Sequence, residues 1–144
     1  MAKNWVLEKA TKLIDKHNFS NPYELIRDLG VDLQWHELGS NIMGYTTEIK
    51  RVPTIVLNNN MTDRMAIPVA YHELGHYQCH KGVNTNFFTR NSLERMGQGY
   101  ESEANLFMFK MMFKDHETIS RANQEKILDY YGLPHWMATY FEQI

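Results

Sequence analysis

The residues best suited to metal binding and catalysis form one short motif, His72-Glu73-Leu74-Gly75-His76. Histidines four residues apart lie about 40° from each other on a helix, so their rings can bind one metal ion. Zinc accepts imidazole nitrogen, and a site with three protein ligands keeps one position for water, whose pKa falls to about 7. Glu73 can take a proton from that water and pass it to a leaving amine. The motif therefore predicts a zinc site for peptide-bond hydrolysis, with His72 and His76 as ligands and Glu73 as general base.

A catalytic zinc ion needs a third protein ligand, and His80 is the nearest candidate. His80 lies two turns beyond His72, about 12 Å along a helix axis, so these two residues and His76 cannot meet at one ion. We therefore expect His80 either to support the site or the substrate from a distance, or to be an ordinary surface histidine. The third ligand should come from a later helix, which carries Glu101 and Glu103.

The helical period separates these two glutamates, because residues two apart on a helix point about 200° away from each other. Glu101 shares its face with Asn105 and Met108, and a carboxylate on a largely apolar face is costly unless something compensates its charge. Glu103 lies nearly opposite, on the side that carries Lys110, and is typical of a solvated charge. We therefore predict Glu101 as the third zinc ligand. Asn105 could orient a ligand through a hydrogen bond, without binding the metal itself.

Two helices and a small sheet are predicted before the metal motif. Helical spacing of apolar residues indicates a helix over 4–17, and a second helix has Pro22 in its first turn and stops at Gly30. Alternating and β-rich segments then predict three strands, at 31–35, 42–48 and 54–57. We expect these strands to form an antiparallel sheet.

The motif itself lies in a predicted helix that begins at the cap residues Thr62 and Asp63 and runs to about His80. Pro68 inside this helix should kink it or mark its true start. Gly75 costs about 1 kcal/mol relative to alanine inside a helix, so we expect a neighbouring element to approach closely there. The apolar side of the helix should pack on the core while the histidines face a cleft. The alternative is an amphipathic helix with surface histidines.

The rest of the chain is predicted to form a polar loop over 82–99, a helix over 98–113 and two short helices broken at Gly132. The order of helices, strands and helices predicts an α+β fold. In this fold a small antiparallel sheet of about three strands packs with helices, one of which is a zincin-like HExxH helix. Residues 1–144 should form a single metallopeptidase domain.

Composition and charge exclude several other classes of protein. The 144 residues are 43% apolar and 22% charged with a net charge of −2, which predicts no direct nucleic-acid partner and no membrane partner. No apolar run approaches the ~20 residues of a membrane span, and charges interrupt the first residues before a signal peptide could form. The single cysteine, Cys79, excludes an internal disulfide and fits a reducing compartment, so the predicted location is cytoplasmic.

Two stretches of the chain resemble the ImmA/IrrE family of metallo-endopeptidases, which is found on phages and integrative elements. They are residues 70–77, followed by His80, and residues 101–107. Weaker similarity covers residues 23–29 and 124–144. The resemblance therefore includes both the motif helix and the helix with the candidate third ligand.

This resemblance carries expectations about the site and the activity. It implies one zinc ion (Zn2+) per chain, bound by His72, His76 and Glu101, with Glu73 as catalytic base. It also implies the usual role of the family, which is the cleavage of a helix-turn-helix repressor encoded nearby. The predicted partner is therefore a protein substrate, a transcriptional repressor.

Two other functions compete with this one. The protein could keep its zinc and sequester a repressor without cleaving it, since binding and cleavage would use the same cleft. A DNA-binding module is the second alternative, because residues 124–144 resemble two helices around a Gly-x-Pro turn. From residue 117 onward, however, two basic residues stand against four acidic ones, whereas phosphate contact needs the opposite sign. A packed helical pair is the better interpretation of this segment.

Overall fold

The computed structural model describes residues 4–81, 88–90, 99–114 and 119–144. The elements in these residues are, in chain order, α1 (Asn4–Lys16), α2 (Pro22–Asp28), β1 (Asp32–His36), β2 (Ile42–Ile49), β3 (Val52–Asn58), α3 (Asp63–Cys79), β4 (Phe88–Thr89), α4 (Tyr100–Met112), α5 (Gln124–Tyr131) and a 3-10 helix (His135–Glu142). The predicted bounds of α1 to α4 and of the first three strands agree with these to within about two residues. The α+β class is confirmed.

The four strands form one sheet in the order β1-β3-β2-β4. β2 pairs antiparallel with both β3 and β4, but β1 pairs parallel with β3. The prediction of an antiparallel sheet is therefore wrong, because the sheet is mixed, and the described residues form four strands where about three were predicted. β1 joins the sheet beside β3 instead of beside β2. Because the chain reverses direction before β2 and again before β3, β1 and β3 run parallel. β4 falls within the predicted loop, of which residues 82–87 and 91–98 lie outside the described residues.

Helix α3 begins where the cap residues predicted. The Thr62 hydroxyl oxygen accepts a hydrogen bond from the backbone N–H of Met65 at 3.2 Å, and the helix runs from Asp63 through Pro68 without interruption. Pro68 therefore lies inside the helix and does not mark its start. A kink at this position stays a prediction.

The side of α3 that carries the metal motif is covered. His72 and Glu73 have no exposed surface and His76 is 2% exposed, because α4 packs along this side while the sheet packs along another. The alternative of surface histidines is therefore wrong. Among His72, His76 and Glu101, the most exposed side chain is that of Glu101 of α4, which is 31% exposed.

Two glycines let α3 lie close to its neighbours. A Cβ atom on Gly75 would lie 3.1 Å from Phe107 Cδ1 and 3.2 Å from the backbone oxygen of Ala104, both in α4. On the sheet side, a Cβ atom on Gly44 of β2 would lie 3.1 Å from Val69 Cγ1 of α3. The close approach that was expected at Gly75 is confirmed, and it holds α4 against the motif.

We expect Gly75→Ala to lower the free energy of unfolding by about 1 kcal/mol, although alanine is the better helix former. Overpacking a core costs about 1–3 kcal/mol, and the backbone of Ala104 cannot move aside unless α4 shifts. The higher helix propensity of alanine offsets about 1 kcal/mol of this cost. Urea unfolding of the metal-free protein measures the change. A variant as stable as the parent would show that α4 shifts at little cost.

The C-terminal helices pack on each other and on the helices before them. The Phe109 ring of α4 contacts the rings of Tyr140 and Phe141 at centroid distances of 5.1 and 5.2 Å. Gly132 ends α5 in a left-handed conformation with φ of 73°, as expected for the break between the two helices. The predicted helical pair is confirmed. In the parts of the chain that the structure describes, no helix has the length and hydropathy needed to cross a membrane.

Candidate metal centre

The second half of α3 faces the first turn of α4, and a side chain from α4 meets two from α3 there. His72 Nε2 and His76 Nε2 lie 3.1 Å apart. Glu101 Oε1 lies 2.7 Å from His76 Nε2, and Glu101 Oε2 lies 3.4 Å from His72 Nε2. Within the described residues these three side chains form a group that could hold a metal ion.

The spacing of the three ligand atoms fits a zinc ion. Zinc bonds to nitrogen and oxygen are about 2.1 Å long, and tetrahedral geometry then places two ligand atoms about 3.4 Å apart. The two ring nitrogens lie 3.1 Å apart, and each has one Glu101 oxygen nearby, Oε1 at 2.7 Å from His76 and Oε2 at 3.4 Å from His72, so the separations are near this value. The fold therefore brings together the three residues that the sequence predicted as ligands.

The environment of Glu101 favours its ionised form. Burial by itself raises the pKa of this carboxyl group, but hydrogen bonds and charge interactions with His72 and His76 outweigh burial and lower it. Glu101 also lies in the first turn of α4, where the helix dipole favours a negative charge. A carboxylate must be deprotonated to bind a metal ion, so this environment suits a ligand.

Two side chains hold the His72 ring. Asn105 Oδ1, one turn beyond Glu101 on α4, lies 2.9 Å from His72 Nδ1, and Asn105 Nδ2 donates to the Tyr140 hydroxyl at 3.4 Å. The Phe88 ring of β4 stacks on the imidazole with centroids 4.0 Å apart. A metal-binding histidine donates its second ring N–H to an acceptor of this kind, which fixes the direction of the ring. Asn105 thus occupies the orienting position that the sequence suggested.

Phe88 and Tyr140 were not predicted as parts of the site. An aromatic residue in a segment predicted as a loop, or in an apolar helix, resembles any core residue, so its type carries no signal for a metal site. Phe88 reaches His72 because β4 pairs with β2 at Ile42 and Gly44, and this pairing depends on tertiary structure.

His80 and Glu103 form a second pair beside the ligands. His80 is 5% exposed, its Nδ1 lies 3.0 Å from His76 Nδ1, and its Nε2 lies 2.8 Å from Glu103 Oε1. Burial lowers the pKa of His80, although Glu103 acts in the opposite direction. The expectation that Glu103 is a solvated charge is wrong, and so is the alternative that His80 is a surface histidine. Helix α3 runs past the first turn of α4, so the turn of α3 that carries His76 meets Glu101, and the end of α3, at His80, meets Glu103.

Glu73 is fully buried beside the ligands, with the Thr46 side chain of β2 as a polar neighbour of its carboxylate. Neither carboxylate oxygen has a hydrogen-bond partner among the described residues. Burial raises the pKa of Glu73 to about 8; His76 acts to lower it, Glu101 raises it further, and Thr46 of β2 lowers it. An unpartnered buried polar group costs about 1–3 kcal/mol and needs an explanation. A general base that receives a proton from a water molecule in the site would have these properties.

The features of the fold and of the site are those expected of a metallopeptidase. An α+β fold carries the His-Glu-x-x-His sequence on a helix, a second helix presents a carboxylate to the two histidines, and a buried carboxylate lies beside them. The model of the Peptidase_M78 family, described as the IrrE N-terminal-like domain, matches residues 26–142. The chain belongs to this family, and the resemblance seen in the sequence is confirmed.

A phage protein is also similar to this chain. It is "Uncharacterized immunity region protein 2" of Bacillus phage phi105, and it is 36% identical over 118 residues. The match covers 82% of this chain and 74% of the phage protein. The name assigns the phage protein to an immunity region and states no activity.

Proposed function

We propose that this protein is a zinc-dependent endopeptidase that cuts a peptide bond in a protein substrate. His72, His76 and Glu101 bind one zinc ion per chain, and Glu73 is the general base. The observation that carries the proposal is the meeting of two imidazole nitrogens, 3.1 Å apart, with the Glu101 carboxylate, whose two oxygens lie 2.7 and 3.4 Å from them. The buried Glu73 carboxylate, which has no hydrogen-bond partner among the described residues, lies beside this group. Membership of a metallopeptidase family supports it.

Zinc is a metal that suits this set of donor atoms. Two imidazole nitrogens and one carboxylate oxygen are the ligands of catalytic zinc sites in peptidases. Magnesium and calcium prefer sites made of oxygen atoms, with six or more ligands. A set of three protein ligands also leaves a coordination position for the reaction.

The residues of the chain then have separate tasks in hydrolysis. Zinc, when bound, supplies a lowered water pKa and polarises the carbonyl group of the substrate. Glu73 accepts a proton from the attacking water while the oxygen of that water bonds to the carbonyl carbon. The same carboxyl group then delivers this proton to the amine nitrogen as the C–N bond breaks. Because Glu73 is fully buried, bulk water does not compete for its carboxylate.

The outer edge of β2 is the surface that we propose for the substrate. β4 pairs with β2 at Ile42 and Gly44, and in the described ranges no other strand pairs with this edge. Thr46, farther along β2, lies beside the Glu73 carboxylate. An extended peptide can add to such an edge through main-chain hydrogen bonds, which would bring its scissile bond to the base.

Glu48 offers a test of this edge. It pairs with Pro53 of β3, and proline has no N–H to donate, so we expect a pair without mutual hydrogen bonds, in which the main chain of Glu48 points to the other edge. We expect Glu48→Pro to raise KM roughly 3- to 10-fold, because a main-chain hydrogen bond contributes about 0.5–1.5 kcal/mol. Zinc content should not change. Glu48→Ala, which keeps the N–H, is the matched control. Equal KM values for the two variants would remove this edge from the proposal.

The substrate class that we propose is a helix-turn-helix transcriptional repressor, and we propose cytoplasmic action because such repressors lie there. The similarity to a phage immunity region protein supports this substrate class. The half-buried thiol of Cys79, which is free in the structure, fits the reducing compartment that we propose. The test mixes the zinc-loaded protein with the repressor encoded beside its gene and identifies fragments by mass spectrometry. A stable complex with an intact repressor would favour the alternative function, in which the protein sequesters its partner without cleaving it.

A further inference from the structure

A line of buried polar groups leads away from the metal centre on the side of His76. His76 Nε2 faces Glu101, while His76 Nδ1 lies 3.0 Å from His80 Nδ1. The opposite nitrogen of His80, Nε2, lies 2.8 Å from Glu103 Oε1. The side chains of His76 and His80 are almost fully buried, and that of Glu103 is 16% exposed. The proposed mechanism uses neither His80 nor Glu103.

These distances allow only one arrangement of protons when a metal occupies the centre. A histidine that binds metal through Nε2 carries its proton on Nδ1, so His76 must donate from Nδ1. His80 Nδ1 is then the acceptor and carries no proton. The His80 proton therefore lies on Nε2, where it is donated to the Glu103 carboxylate. The other tautomer of His80 would set two N–H groups against each other and would leave the carboxylate facing a lone pair.

We propose that His80 and Glu103 are positioning residues that together fix the tautomer and the direction of the ligand His76. The proposal rests on the proposed function, because it needs a metal ion on His76 Nε2. Asn105 orients His72 through an amide oxygen at 2.9 Å, so the two ligand histidines are held by different chemistry. Glu103 reaches His76 through its contact with His80, and neither positioning residue belongs to the group of ligand atoms.

Zinc affinity, measured by competition with a chelator, tests the proposal. Loss of a group that orients a metal ligand costs about 10- to 100-fold in affinity, so we expect a fall of this size for His80→Leu. His80→Asn places an amide oxygen near the former position of Nδ1, and it should recover most of the affinity. Glu103→Ala should lose more affinity than Glu103→Gln, which can still accept a hydrogen bond. Glu8→Ala, the same kind of change on an exposed face of α1, should have no effect.

Two further measurements separate positioning from simple structural support. Unfolding of the metal-free variants reports structural damage, and a purely structural role would predict that His80→Asn is as harmful as His80→Leu. Nitrogen-15 NMR of the zinc-loaded parent protein shows where the ring protons lie, and we expect them on His76 Nδ1 and His80 Nε2. This measurement decides the question even if a variant fails to fold.

The outcomes distinguish this inference from the proposed function. A proton on His80 Nδ1, or unchanged zinc affinity in His80→Leu, would overturn the positioning role while leaving zinc binding and cleavage by the parent intact. If the parent binds no zinc at His72 and His76, the proposed function fails, and the positioning role fails with it.

Discussion

Glu73→Gln is expected to bind zinc as tightly as the parent but to cleave its substrate about 10²- to 10⁴-fold more slowly, the usual contribution of a general base. Glutamine has the shape of glutamate but cannot accept the proton of the attacking water. Glu73 does not belong to the group of candidate ligand atoms, so the substitution leaves that group intact. Elemental analysis of the purified variant gives the zinc content, and a cleavage assay with the repressor gives the rate.

This pair of measurements also separates hydrolysis from sequestration. If Glu73→Gln cleaves as fast as the parent, the assignment of Glu73 as general base is wrong. If neither protein cleaves but both bind the repressor, the protein acts by sequestering its partner. A variant that loses zinc as well as activity would indicate a structural role for Glu73, because its carboxylate lies fully buried in the core.

Glu101→Ala is expected to lower zinc affinity by more than about 100-fold, which exceeds the usual effect of losing a group that only orients a ligand. Two histidines alone would then face the ion. In the parent, zinc at 100 times its dissociation constant should stabilise the fold by about 2.7 kcal/mol. Glu101→Ala should show almost none of this gain. Thermal unfolding with and without zinc measures the difference.

The matched control for Glu101→Ala is Glu8→Ala, which removes an exposed carboxylate from another helix. Glu103→Ala is not a neutral control, because Glu103 contacts His80. We expect its loss of zinc affinity to lie between those of Glu101→Ala and Glu8→Ala. Loss of zinc in Glu103→Ala with retention in Glu101→Ala would move the third ligand to Glu103. Retention of zinc in both variants would make the acidic residues and the histidine at 115–117 the next candidates for the third ligand; these residues lie outside the described residues.

The local parts of this site follow from the order of residues along the chain. The spacing of His72 and His76 places both rings on one side of α3, because the helical period is a property of neighbouring residues. Thr62 predicted the start of that helix, and Gly75 predicted a close approach that α4 makes through Ala104. Periodicity also chose Glu101 over Glu103, and the structure places Glu101 against the two histidines.

Which elements meet depends on contacts between segments that lie far apart in the chain. β1 pairs with β3 instead of β2, and β4 brings Phe88 onto His72; both depend on pairing between distant segments that periodicity does not encode. The burial of the histidine side and the contact between His80 and Glu103 depend on how α4 lies across α3. A helical wheel shows which way a side chain points on its own helix, but it cannot show that a second helix covers that direction. Periodicity therefore predicts a solvated charge at Glu103, although His80 of α3 is a buried partner for it.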